Sequence, residues 1–387
     1  MVGAGTMTER TFAEIFPPGD FIEEELEARG WSQIELSEIL GRTPAFVNEL
    51  IKAKRGVTPE TAKALGNAFG TSAQYWMNLE TGYQLWRSKS EDNSIARRAR
   101  LYQFAPIKEM AKRHWIEPTQ NVDILEQQVL KFFGVTSFDE AEVLPHAARK
   151  STSYRDVTPS QRAWLRRANA LGMAVTAKPL TKGSLDEGFG RLRQLLHSAE
   201  AIRQIPCVLS DMGIRFVVVE ALPQTRIDGA CIWLDKHMPV VALSLRYDRI
   251  DAFWFSLIHE LGHVKNGDGV NKFFLDTDLV SDQSGEKKAN HPSESMELRA
   301  NAFASEFLAP KAEMDDFVAR TAPLFHGPKI IRFAKRIKVH PGIILGQLHH
   351  RKQISYSQNR KMLEKVKHII TESALTDGWG SFPPSNL

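Results

Sequence analysis

The sequence predicts a mainly α protein with a small α+β domain in its second half. Two patterns predict it. Up to about residue 200, apolar residues recur at helical spacing in short segments, several opened by Ser or Thr with Pro next in line. After Pro206 the pattern shifts to three compact β-rich runs and then returns to strongly apolar helical segments. A length of 387 residues, with 42% hydrophobic and 25% charged side chains, suits an ordinary globular chain of two or three domains.

Residues 1–88 read as a five-helix domain. Asp20 to Glu27 follows a Pro-Pro-Gly entry and carries Phe21, Ile22 and Leu26 at helical spacing. Ser32 caps the next helix with Glu35 as its capping-box partner, and Gly41 ends it. Thr43-Pro44 opens a third helix bearing Phe46, Val47, Leu50 and Ile51, and Thr58-Pro59 repeats the device. The second and third helices, joined by a tight Gly-containing turn, form a helix-turn-helix whose second helix would read DNA. Its surface positions are Pro44, Ala45, Phe46, Asn48, Glu49 and Lys52. Asn48 suits base readout, with Gln33, Thr43 and Lys52 as further DNA contacts. A homodimer through this domain would read two half-sites.

Residues 89–205 read as a helical connector, with segments at 108–115, 125–133, 164–171 and 185–199. Strands follow at 214–219, 230–234 and 240–245, the last two joined as a hairpin through 235–239. The run 240–245 is expected to be an edge strand that accepts an extended peptide. An apolar helix spans 252–264, an exposed polar loop 276–292, and further helices 294–308, 330–337 and 341–349. The second domain then has its core at 206–320, a helical continuation at 321–370 and a Gly/Pro/Ser-rich loose tail at 371–387.

The net charge of +4 is unevenly spread. Residues 1–86 hold 7 Lys/Arg against 12 Asp/Glu, and residues 87–115 hold 8 against 3. An acidic DNA reader opposes the counterion release that supplies most affinity, and Arg97, Arg98 and Arg100 in the basic stretch could restore it. Two cysteines, Cys207 and Cys231, exclude a disulfide framework and a thiolate zinc cage; they read as small core residues in a reducing cytoplasm. No apolar run approaches membrane-spanning length and the N-terminus lacks signal-peptide order, so membrane and secreted classes are not expected.

His259-Glu260-Leu261-Gly262-His263 lies inside the apolar helix. Spacing i,i+4 puts both imidazoles on one face, about 5–6 Å apart, where they can share one tetrahedral metal. Glu260, turned about 100° from His259, flanks that position and could act on a metal-activated water. A catalytic zinc wants a third protein ligand. Glu297 opens a second apolar helix 34 residues after His263, with Glu294 as its rival. Ala300, Ala302 and Ala304 would let the two helices approach, and Asn301, one turn from Glu297, could hydrogen-bond a ligand. His237, Tyr247 and His291 flank the motif as candidate oxyanion stabilisers, whereas His349-His350 lies too far along to be read as a ligand.

WFSLIHELGH followed by ESMELRANAFASEFLAP closely resembles the ImmA/IrrE family of zinc metallopeptidases, which joins an HExxH helix to an ExxAN-x-FA helix ending in Leu-x-Pro. The resemblance implies a zincin-like domain with Zn2+ as cofactor, His259, His263 and Glu297 as its ligands, and Glu260 as general base. FPPGDFIEEELEARGWSQIELSEILGR and KRGVTPETAKALGNAFGTSAQYWMNLETGYQLW resemble the XRE helix-turn-helix, in its HigA-like antitoxin branch. Together the resemblances imply a cytoplasmic zinc endopeptidase with a DNA-binding-type module, cleaving a regulatory protein such as a repressor in a stress or phage-related switch. The alternative is an antitoxin-like regulator on operator DNA whose metal domain senses and cleaves nothing. In a third reading the helix-turn-helix docks a protein, as the apolar Pro44-Ala45-Phe46 surface would favour.

Overall fold

The structure, a computed structural model, describes residues 15–88, 93–138, 157–270, 274–277 and 292–380. It divides into two compact units, Met1–Asn93 and Ser94–Leu387.

The first unit holds the five expected helices: α1 (Pro18–Arg29), α2 (Gln33–Leu40), α3 (Pro44–Ile51), α4 (Pro59–Phe69) and α5 (Ala73–Arg87). The caps form as their residue types dictate. Ser32 and Glu35 make a reciprocal capping box, and Thr43, Thr58 and Ser72 each accept a backbone N–H of the first turn. Gly30, Gly41 and Gly70 end their helices in the left-handed conformation that favours glycine. Ile22, Leu36, Val47, Leu65 and Trp76 are fully buried at the centre. Ile34 and Ile39, on the outer face of α2, are instead exposed.

The second unit is built on a mixed five-stranded sheet of β1 (Arg215–Val219), β2 (Ile227–Trp233), β3 (Pro239–Leu243), β4 (Phe274–Thr277) and β5 (Leu375–Asp377). The strand order is β4-β2-β3-β1-β5. β1 runs parallel to β3 and β5, while β2 is antiparallel to both β3 and β4. Because side chains alternate across a strand, the sheet serves two cores. Val217, Val219, Ala230, Val240 and Ala242 belong to one, and Phe216, Val218, Cys231, Val241 and Leu243 to the other.

The first core is covered by α6 (Ser94–Phe104), α7 (Ile107–Lys112), α8 (Val122–Phe133) and α9 (Pro159–Ala174). Trp164 of α9 donates its indole N–H to the Val219 carbonyl at 3.0 Å. The segment expected as a connector therefore belongs, from Ser94 onward, to the second unit: α6 to α9 cover this face of the sheet, and residues 182–205 pack on the opposite one. The opposite face carries α10 (Lys182–Leu195), α11 (Ile205–Met212), α12 (Ile250–Asn266), α13 (Pro292–Leu308), α14 (Lys311–Thr321), α15 (Gly327–Arg336), α16 (Pro341–His350) and α17 (Lys367–Thr371).

Four further expectations change. The run 240–245 is no edge: β3 is paired on both sides, so its backbone groups are spent on β1 and β2. The loop expected over 276–292 begins later, since β4 extends to Thr277, and much of it lies outside the described residues. Of the tail expected over 371–387, the described part forms the end of α17 and then β5, whose Asp377 is fully buried, and 381–387 lie outside the described residues. Cys231 is a buried strand residue as read, but Cys207 sits exposed on α11.

Candidate metal centre and helix-turn-helix surface

The HExxH sequence lies on α12, which is buried over nearly its whole length because it packs between the sheet and α13. Gly262 permits the close approach of α13: a Cβ there would stand 3.3 Å from the Cα of Ala300. Ala300 and Ala304, one turn apart, are buried at this contact, whereas Ala302 faces outward.

The crossing brings three donors together. His259 Nε2 lies 3.2 Å from Glu297 Oε2, and His263 Nε2 lies 3.5 Å from Glu297 Oε1. The two Nε2 atoms are 3.1 Å apart. One ligand atom from each residue falls within 4.8 Å of the others, a group that could hold a metal ion. Both histidines are fully buried, and each Nδ1 has its own partner. His259 Nδ1 is 3.0 Å from Asn301 Oδ1, as the spacing suggested. His263 Nδ1 is 3.1 Å from Asp268 Oδ2. With Nδ1–H donating to these oxygens, each Nε2 lone pair is left facing Glu297.

Asp268 was not legible as a site residue. It lies just past the Gly267 cap that turns the chain back at the end of α12, and that reversal carries its carboxylate to His263. Its backbone carbonyl accepts the Trp233 indole N–H at 2.8 Å, and Arg299 Nη2 stands 3.4 Å from its other carboxylate oxygen. An acidic residue five positions after the second histidine was the available signal.

Glu260 is fully buried and its carboxylate lies against Gly229 of β2, where an added Cβ would run into Glu260 Oε1. Of the other candidates, His237 is exposed in the β2–β3 turn, and the Tyr247 hydroxyl accepts from Arg246 Nη2 at 2.9 Å. His291 and the side chain of Glu294 lie outside the described residues. His350, set aside for its sequence distance, is brought near: Phe255 has its ring 6.3 Å from His259 on one side and 6.3 Å from His350 on the other.

On the first unit, Asn48 Nδ2 donates to Gln33 Oε1 at 3.3 Å, so these two side chains act as a pair at the helix-turn-helix. Thr43 caps α3 through the Phe46 N–H, and Lys52 is exposed at the end of the same helix. Arg42 and Arg55, which sequence reading passed over, hold their guanidinium carbons 5.5 and 5.0 Å from the Phe46 ring. Phe46 is thereby covered, and Glu49 is paired with Arg55 at 2.8 Å. In the basic stretch of the second unit, Arg97 pairs with Asp123 and Glu126, Arg98 bonds the Gln120 carbonyl, and Arg100 lies over Phe138, while Lys108 and Lys112 are exposed.

Comparison with known proteins agrees with both halves of this picture. Residues 22–76 match the model of a helix-turn-helix family, and residues 210–351 match that of the IrrE N-terminal-like domain, a peptidase family. The chain is 37% identical over 79 residues to virulence-associated protein I of Dichelobacter nodosus, covering 20% of this chain and 73% of that protein. It is 34% identical over 82 residues to the uncharacterized HTH-type transcriptional regulator YddM of Escherichia coli strain K12, covering 21% and 87%. Among solved structures, the Pseudomonas aeruginosa antitoxin HigA with its higBA promoter is 33% identical, covering 19% of this chain and 83% of that one, with a TM-score of 0.19. No helix among the described residues is long and apolar enough to cross a membrane. With its helix-turn-helix over residues 22–76 and the IrrE N-terminal-like domain over 210–351, the chain belongs to the XRE-type helix-turn-helix proteins that carry a peptidase domain of the ImmA/IrrE kind.

Proposed function

We propose that the second unit is a zinc-dependent endopeptidase and the first a DNA-binding module. The observation that carries this reading is the convergence of His259 Nε2, His263 Nε2 and a Glu297 carboxylate on one point, with the histidines buried and Glu297 partly exposed, next in sequence to Glu260. Two imidazoles and one carboxylate make a donor set suited to zinc, with a fourth position left for chemistry. Asn301 and Asp268 hold the two rings by Nδ1, which fixes their tautomers and presents Nε2. Bound there, zinc supplies Lewis-acid polarisation of a peptide carbonyl and eases ionisation of water. Glu260 takes the proton of the attacking water and returns it to the departing amine nitrogen.

The substrate class is a protein, in the family's terms a regulatory protein such as a repressor, cleaved in a stress or mobile-element response in the cytoplasm. The Glu260→Gln variant, tested with the products of neighbouring genes, is expected to keep one equivalent of zinc and lose cleavage by about 10²–10⁴-fold. Full cleavage by that variant sinks the mechanism.

For the first unit, the Gln33–Asn48 pair offers a polar reader, and exposed Lys52 and Lys54 offer phosphate contacts around it, whereas Arg42 and Arg55 are paired with Glu60 and Glu49. The likeness to a transcriptional regulator over 87% of its length supports operator DNA as partner, with a homodimer spanning two half-sites. Asn48→Ala is expected to abolish sequence preference in a mobility-shift assay, and Lys52→Ala to reduce the salt slope by about 1. The same likeness favours a second reading, an antitoxin-like regulator whose metal domain cleaves nothing. In that case Glu260→Gln and wild type regulate alike.

A further inference from the structure

α12 and α13 run antiparallel past each other, and their contacts step along in register. Glu297 meets His263 and His259, Ala300 meets Gly262, and Asn301 meets His259. One turn further on, Phe255 of α12 and Ser305 of α13 line a half-open cavity whose empty space is about 490 Å3 with the adjoining open solvent included. Leu308, Ile343, Gln347 and Tyr356 also line it. Phe255 is thus shared: its ring packs towards His259 of the metal centre and also lines the cavity.

The charged groups at the cavity cancel. Arg249 and Asp251 form a two-point pair, Nε to Oδ1 at 3.0 Å and Nη2 to Oδ2 at 2.6 Å. Gly346 of α16 makes room for this pair, since a Cβ there would stand 2.6 Å from the Asp251 Cβ. His350 at the rim has its pKa lowered by burial, with Arg351 and Lys352 adding to the effect, so its ring is neutral near pH 7. A cavity with aromatic and branched aliphatic walls and no net charge selects an uncharged, apolar occupant.

The Phe255 ring, 6.3 Å from that of His259, relates the cavity to the metal centre. Four residues of helix advance about 6 Å, and an extended chain advances about 3.3 Å per residue. A polypeptide lying across the donors therefore carries the side chain one or two residues from the bond under attack to the cavity mouth. We propose that this cavity receives a large apolar side chain, aromatic or branched aliphatic, of the polypeptide held at the His259–His263–Glu297 centre, and so sets sequence preference beside the cleaved bond. The assignment rests on the peptidase reading.

The test has a binding arm and a cleavage arm. On the zinc-loaded full chain, ligand-observed NMR compares N-acetyl-phenylalanine amide and N-acetyl-leucine amide with the corresponding lysine and glutamate amides. The apolar probes are expected to bind at least about tenfold more tightly than the charged ones. Ser305→Phe, which fills the mouth, should lose that binding by about tenfold or more while melting close to wild type. In a peptide library, wild type should favour Phe, Leu or Ile at one position beside the cleaved bond, and Ser305→Phe should shift that position to Ala or Gly. Equal binding of charged and apolar probes by wild type overturns the assignment whether or not the variant folds, as does unchanged binding in a folded Ser305→Phe. Cleavage without positional preference overturns the cavity's role alone. Probe binding with no cleavage by wild type overturns the peptidase reading, and with it the role of the cavity in cleavage.

Discussion

Asp268 accepts a hydrogen bond from His263 Nδ1 at 3.1 Å, and its own backbone N–H donates to the His263 carbonyl at 2.9 Å. One residue thus closes the end of α12 and orients the imidazole that faces Glu297. Carboxylates in this relation to a metal-binding histidine typically contribute 10–100-fold in affinity, so Asp268→Ala should weaken zinc binding by about that factor. Competition with a chromophoric chelator measures it, and Asn301→Ala should act likewise through His259. Unchanged affinity in both variants would show that the rings are held by packing alone.

Gly229 of β2 gives the Glu260 carboxylate its place. Gly229→Ala puts a methyl where Oε1 now lies, so Glu260 must rotate, while the nearest atoms to that methyl all belong to Glu260 and not to His259, His263 or Glu297. The expected outcome is cleavage reduced by about 10²-fold or more, as for a misplaced general base, with zinc stoichiometry unchanged. Loss of zinc together with activity would mean that the substitution disturbs α12 as a whole.

Local signals account for what was readable in the chain. Caps at Ser32, Thr43 and Thr58 and the i,i+4 histidines act within a few residues, so their pattern is visible without the fold. The approach of Glu297 and Asn301 to the histidines is expected from alanines on the second helix, with Glu294 a rival on spacing, and the choice of Glu297 comes from the family resemblance. Gly262 and Ala300 stand at the contact. What could not be read was set by long-range pairing. Nothing local in 240–245 distinguishes an edge from a central strand; its place depends on β1, more than twenty residues earlier. Likewise, the segment after residue 371 looks like a loose tail until Asp377 is seen beneath Arg167 and Trp115, over 200 residues away. His350 reaches Phe255 only because α16 folds back onto α12.

The Asp377 contact makes the C-terminal strand part of the second unit's core. Its Oδ2 accepts from Arg167 Nε and, at 2.9 Å, from the Trp115 indole N–H, with Asp377 fully buried and Arg167 nearly so. Removing one partner of such a pair leaves the other charge buried and uncompensated, which costs about 3–5 kcal/mol. Asp377→Ala should therefore lower stability by about that amount in urea or guanidinium unfolding. Arg167→Met combined with Asp377→Leu should recover much of the loss, because both charges are then gone. A double variant no more stable than Asp377→Ala would count against an ion-pair origin of the effect.

His349 on α16 makes stability depend on pH in a definite direction. It is buried and stacked on Tyr356 with ring centroids 4.5 Å apart. Burial lowers its pKa, with Arg249 adding to the shift, while Asp251 and the backbone at Gln358 and Ser355 oppose it. In the unfolded chain a histidine titrates near 6.5, at about its ordinary value. Below that pH the unfolded state takes up a proton that the folded state resists, so the stability associated with neutral His349 is lost as pH falls from about 6.5 toward the folded pKa. His340 and His350, also shifted down by burial, act in the same sense. The metal-free protein should melt at progressively lower temperature from pH 7 to pH 5. His349→Gln, though less stable at pH 7, should show a shallower dependence, because one of the protons taken up on unfolding is gone. Identical slopes for variant and wild type would remove His349 from the account.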